Sequence, residues 1–168
     1  MIHKVGLGGG CHWCTEAVFK SLKGVEKVEQ GYISSIEEDK FSEAVIVHFN
    51  TESIPLKVLI EVHLHTHKST SEHAMRDKYR SAIYVFSNPQ GAEAKTIINE
   101  LQSDFERALV TKVYAFKCFK PSRISLLDYY YQNPEKPFCK AYINPKLKVL
   151  LRQFSEFVAK ERLSKQKF

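Results

Sequence analysis

The run Gly8-Gly9-Gly10-Cys11-His12-Trp13-Cys14 places a thiol where a short strand stops and a helix opens. Glycines let the backbone turn sharply and let another molecule approach closely. A cysteine at a helix N-terminus meets unpaired N–H groups and the positive end of the helix dipole, which favour the thiolate, the reactive form. Cys11 and Cys14 also form a Cys-x-x-Cys pair. A nucleophilic thiol, a dithiol oxidoreductase and a zinc site would all use such residues. Zinc needs four ligands, usually with a second close pair. Cys118 and Cys139 are 21 residues apart and supply none. His63, His65 and His67 alternate near a helix end and read as a solvated terminus, so no metal is expected. A thioredoxin-like fold normally needs a strand-helix-strand unit before its motif, and only ten residues precede Cys11.

The elements that must hold these residues follow from hydrophobic periodicity. Strands are expected over 2–7, 25–34, 43–49, 80–86 and 112–118. In 43–49, Val45, Val47 and Phe49 share one face, which Glu43 begins. Helices are expected over 12–23, from Ser53-Pro55 to about His65, from Asn88-Pro89 to Phe105, over 124–132, and over 146–163. In the last, Leu147, Leu150, Leu151, Phe154 and Val158 form one stripe. Cys118 ends a strand and reads as a core residue. The order predicts an α+β fold, a ferredoxin-like split β-α-β sandwich with a mixed sheet, helices on one face and terminal extensions. A single domain spans 1–168, with a core over about 1–118 and a C-terminal segment over 119–168.

Composition narrows the function classes. Hydrophobic residues make up 43% and charged residues 26% of the 168, as in an ordinary globular chain. Twenty-five Lys and Arg against nineteen Asp and Glu leave +6, too mild to require nucleic acid. The basic end of the chain (Arg152, Lys160, Arg162, Lys165, Lys167) lacks stacking aromatics and reads as a solvated tail. No apolar run approaches a membrane span, and the first residues do not form a signal peptide. A cytoplasmic chain with unbridged cysteines is therefore the expectation: a reducing compartment keeps thiols free for chemistry.

At this point the residues become specific. GGGCHWCTEAVFKSLKGVEKVEQGY resembles the N-terminal signature of the peptide methionine sulfoxide reductase A family, usually close to GGGCFWCxEAVF…GV…GY. DKYRSAIYVF at 77–86 resembles its Q-Y-R-S-A-I-Y segment, and NPEKPFCKAYINPKL at 133–147 its C-terminal N-P-x-x-P-Y-C-x-A-x-I-x-P-K segment. The blocks come in the family's order and span most of the chain.

The resemblance implies reduction of methionine S-sulfoxide, free or in peptides, to methionine, a repair of oxidative damage. It implies that Cys11 is the nucleophile and passes through a sulfenic acid. It implies that Trp13 receives the substrate's S-methyl group, that Glu43 is the proton donor, and that the hydroxyls of Tyr32 and Tyr79 bind the sulfoxide oxygen. The oxygen leaves only when protonated, a task suited to a carboxyl beside an apolar strand face. Cys139 matches the resolving cysteine, carried by a mobile C-terminal segment to form a Cys11–Cys139 disulfide that thioredoxin reduces. Dithiothreitol would serve in its place in vitro, and no bound cofactor is implied. Cys14, one helical turn from Cys11, is a second resolving candidate. A monomer without nucleic-acid or membrane partners is expected.

Three departures stand against the family pattern. The loop between the GY strand and the Glu43 strand is cut to ISSIEEDKFS, without the glycine pair after GY. The family's Asp aligns with Ala74, with Asp77 nearby as a substrate-binding candidate. The family's A-E-D-Y-H-Q becomes Ser122-Arg123-Ile124-Ser125-Leu126-Leu127. His12 stands where the family usually has Phe, putting a polar ring in the substrate wall. A weak or inactive relative that binds oxidised methionine or a protein partner, and a general Cys11/Cys14 dithiol oxidoreductase, are the alternatives.

Overall fold

The computed structural model describes residues 1–163. Five strands are present: β1 (Ile2–Gly8), β2 (Val25–Ser35), β3 (Ser42–Asn50), β4 (Ala82–Val85) and β5 (Lys112–Pro121). The helices are α1 (His12–Lys20), α2 (Leu56–His65), α3 (Asn88–Leu101), α4 (Tyr129–Gln132), α5 (Asn144–Gln153) and α6 (Lys160–Leu163). The order β4-β1-β3-β2 with antiparallel neighbours is the expected split motif. The fold is α+β, with one feature beyond that expectation. β5 pairs antiparallel with β2 and parallel with β4, which makes the sheet mixed and closes it into a barrel.

Closure gives each strand an inner and an outer face. Ile33, Ala44, Ile46, Ala82 and Tyr84 form one small apolar cluster. Gly6 belongs with them: a Cβ there would lie 2.8 Å from Tyr84 Cβ and 2.9 Å from Ile33 Cδ1. The alternate residues Val45, Val47, Phe49, Ile83 and Val85 join the main core with α1, α2, α3 and α5. The period-2 alternation of β3 therefore feeds two cores. Gly24 turns the chain into β2 at φ +82°, where an L side chain would be strained.

The C-terminal segment departs from the expected helix. α5 ends at Gln153, Ser155–Phe157 makes a 3-10 turn, and Val158 forms an antiparallel bridge with Leu22. The Ala159 N–H donates to Ser21 O at 2.7 Å, and the Lys23 N–H to Phe157 O at 2.7 Å. Phe154 and Val158 are still buried, as their stripe predicts, but through this turn rather than along one helix. Lys165 and Lys167 lie outside the described residues. Cys118 is exposed on β5, not in the core: β5 alternates between half-buried and exposed positions and has no fully buried residue. No helix among the described residues is long and apolar enough to cross a membrane.

Candidate active site

β1 ends at Gly8, and Cys11 is the N-cap of α1, with its carbonyl accepting the N–H groups of Cys14 (3.0 Å) and Thr15 (3.2 Å). The glycine turn is clamped from below. His67 lies against Gly9, where a Cβ would come within 2.5 Å of its ring. Arg76 Nη1 donates to Gly9 O at 2.9 Å and to Tyr79 O at 2.8 Å. One guanidinium thus ties the thiol turn to the segment bearing Tyr79.

Cys11 is half-buried, and its pKa is lowered. The largest cause is a hydrogen bond from the Cys14 thiol; backbone N–H groups of Trp13 and Cys14 add to it, while burial and Glu43 oppose it. Cys14 is buried and holds its proton far more tightly than usual, chiefly through that same hydrogen bond. The first cysteine of the pair is therefore the more acidic of the two.

Strand pairing supplies the other groups. Tyr32 on β2 and Glu43 on β3 are register partners, so their side chains share one face. The Glu43 N–H donates to Lys78 O at 3.1 Å, the Ser42 hydroxyl to the same oxygen at 2.9 Å, and the Arg80 N–H to Ser42 Oγ at 2.7 Å. These bonds fix Lys78 and Tyr79 at the start of β3. Glu43 is 6% exposed, and its Oε1 accepts the His12 N–H at 3.2 Å. Lys78 Nζ lies 3.6 Å from the other carboxyl oxygen.

Cys11, His12, Trp13, Tyr32, Glu43 and Tyr79 line one pocket of about 350 Å³. Phe41, Lys78, Leu126 and Phe138 complete its wall. Trp13 stacks on Tyr129 with centroids 4.1 Å apart and planes 8° apart, and Phe138 meets it edge-on at 5.3 Å. The arrangement joins an acidic thiol, a carboxyl, two phenols and an apolar wall, enough for nucleophilic attack with proton delivery.

Other expected residues lie elsewhere or differ in setting. Asp77 is exposed and lines a separate depression with Glu38, Arg76 and Arg80. Cys139 lies beside Phe138 in one π-type turn, Cys139–Ile143, fully buried, its Sγ donating to Asn133 O at 3.6 Å. Burial raises its pKa. The segment carrying it is folded, not free. His63 is buried and His67 half-buried beneath Gly9 rather than solvated, and burial lowers both pKa values, that of His63 to about 4. His65 is half-exposed and approaches Glu61 and Asp104. Of the 122–127 segment, Leu126 reaches the pocket and Arg123 is exposed.

Sequence reading missed Tyr129, Phe138, Lys78 and Lys146. The half-buried Lys146 ammonium donates to Thr66 O; burial lowers its pKa, and the neighbouring Cys14 and Cys11 oppose that shift. Its signal was present: it falls in the third motif block, INPKL.

Known proteins resemble this chain in sequence and in fold. The family model "Peptide methionine sulfoxide reductase" matches residues 3–158. The peptide methionine sulfoxide reductase MsrA of a Psychrobacter species is 33% identical over 171 residues, covering 92% of this chain and 97% of the relative. Reduced Mxr1 from Saccharomyces cerevisiae superposes with a TM-score of 0.74 at 20% identity, covering 84% of this chain and 91% of that one. The same yeast protein in complex with Trx2 superposes at 0.62 and 21% identity, covering 76% and 84%.

Proposed function

The chain belongs to the peptide methionine sulfoxide reductase family, and on that premise we propose how its pocket reduces methionine S-sulfoxide. The Cys11 thiolate attacks the sulfoxide sulfur while Glu43 delivers one proton to the sulfoxide oxygen. The oxygen passes to Cys11 as a sulfenic acid, and methionine leaves as the thioether. Tyr32 and Tyr79 direct their hydroxyls at the oxygen, where charge develops. Trp13, held flat by Tyr129, is the wall for the S-methyl group, and His12 belongs to the same lining. The observation that carries this reading is the convergence of a low-pKa thiol and a buried carboxyl on one pocket.

A second thiol must then attack the Cys11 sulfur, releasing water and forming a disulfide. We assign that role to Cys139, with Cys14 as the hydrogen-bond donor that holds Cys11 ionised. Because Cys139 is buried, its turn must open before it reaches Cys11. A dithiol of the thioredoxin class reduces the bond by exchange; the yeast neighbour's complex with Trx2 supports that choice.

The test is incubation with dithiothreitol and separated S and R epimers of a methionine sulfoxide peptide, with methionine measured by chromatography. Reduction of the S epimer alone is expected. Reduction of neither would favour a binding protein without turnover.

A further inference from the structure

His12 is buried, yet its polar atoms are committed in a definite pattern. Its Nδ1 lies 2.7 Å from Gly31 O. A carbonyl oxygen only accepts, so Nδ1 carries the hydrogen. In the neutral ring Nε2 is then a bare acceptor, and it lies 3.4 Å from Glu43 Oε1. An ionised carboxyl is also acceptor-only. Two buried acceptors at this distance are reconciled by one proton, carried by either side.

We propose that His12 is a positioning residue for the proton donor: His12 and Glu43 hold a single proton between them, and it is the proton the reduction consumes. The inference rests on the assignment of Cys11 and Glu43 above and deepens it. The stoichiometry fits. Thiolate, sulfoxide and one proton yield sulfenic acid and thioether, with no proton left over. Burial is the largest influence on His12 and lowers its pKa, so the ring is the partner that yields the shared proton when substrate takes it. After transfer, the Glu43 carboxylate faces the Nε2 lone pair, which favours uptake of the next proton from solvent. The other groups around the pair are Lys78, whose charge favours the carboxylate, the Cys11 thiolate, which disfavours it, and the hydroxyls of Tyr32 and Tyr79. His12 also meets Tyr32 edge-on at 5.1 Å, which holds its ring plane.

The experiment has two arms. In protein labelled with 15N at histidine and 13C at the glutamate carboxyl, the His12 ring is expected as the Nδ1–H tautomer. As the one shared proton is lost at alkaline pH, the His12 Nε2 signal and the Glu43 carboxyl signal should move together with a single midpoint. An Nε2–H tautomer, or ring and carboxyl signals that move with separate midpoints, would overturn the proposal. In the second arm, single-turnover methionine formation is followed against pH. The alkaline fall in rate should shift to lower pH by about one unit in His12→Phe and in His12→Gln, with folding checked by thermal melting. Superimposable profiles would overturn it. The labelled arm needs no turnover, so a chain that makes no methionine would refute the reductase assignment while the His12–Glu43 pair is still read directly.

Discussion

Tyr32 and Glu43 are direct partners across the β2–β3 ladder, so the phenol and the carboxyl are held on one face by the strand register itself. A one-residue slip of either strand would put them on opposite faces. Chemistry here is therefore coupled to sheet pairing rather than to a flexible loop. Glu43→Gln should lower the single-turnover rate by about 10²- to 10⁴-fold with substrate binding nearly unchanged, measured by rapid-quench chromatography. Tyr32→Phe and Tyr79→Phe should each cost less, about 10-fold or more, since one hydroxyl remains.

Cys14→Ala removes the hydrogen bond that most favours the Cys11 thiolate. The Cys11 pKa should rise. The pH midpoint of its alkylation by iodoacetamide, followed by intact mass, should move upward. An unmoved midpoint would show that the helix N-terminus and backbone donors suffice.

Cys139→Ser should still form one equivalent of methionine but stop at the sulfenic acid, which dimedone traps on Cys11. Mass spectrometry of the oxidised parent should give a Cys11–Cys139 bond. A Cys11–Cys14 bond instead would transfer the resolving role to the neighbouring thiol.

His63 is buried and His67 half-buried, and burial lowers the pKa of both rings. Their folded pKa values are depressed, so below about pH 6.5 the unfolded chain takes up protons that the folded chain refuses. Stability should be full above that pH and decline as pH falls toward 4, the folded value of His63. Over this window His63 alone accounts for about 3 kcal/mol at most. Urea melts at pH 7.5 and pH 5 should show the loss, and His63→Gln should reduce it.

Glu16 is buried and accepts from Gln30 Nε2 at 3.0 Å and from the Asp128 N–H at 3.1 Å. Asp128 is in the left-handed region at φ 55°, a backbone setting that the bond helps hold. Glu16→Ala should destabilise the chain by about 1–3 kcal/mol. Hydrogen exchange should rise first over residues 126–132, which carry Leu126 and Tyr129 to the pocket.

Local chemistry was legible in the sequence where it was encoded within one element. The Gly-Gly-Gly-Cys turn, the start of α1 at His12, and the shared face of Glu43, Val45 and Val47 all follow from short spacings. The β4-β1-β3-β2 order follows from the succession of elements. What could not be read is nonlocal. The parallel pairing of β4 with β5 closes the barrel through contacts that no alternation announces. Tyr129 reaches Trp13 across more than a hundred residues of chain. Apolar spacing over 146–158 fits a helix, yet Phe154 ends it, because burial against Leu22 is reached equally well by turning. The histidines at α2 misled for another reason: His63 is buried and His67 packs under Gly9 with hydrogen bonds at His63 O and Ser81 Oγ, whereas polarity alone suggested solvent.

Closing the sheet has a consequence for how a damaged protein can be met. β4 pairs with β1 over Gly6–Gly8 and with β5 over Lys112–Ala115, so closure leaves an extended, partly unfolded polypeptide only short stretches of open ladder at the far ends of β1 and β5. Such a client has little room to add itself by β-augmentation, the route by which exposed edges capture chains and seed aggregates. Its oxidised side chain must instead enter the pocket singly, leaving its backbone free to depart once the sulfur is restored.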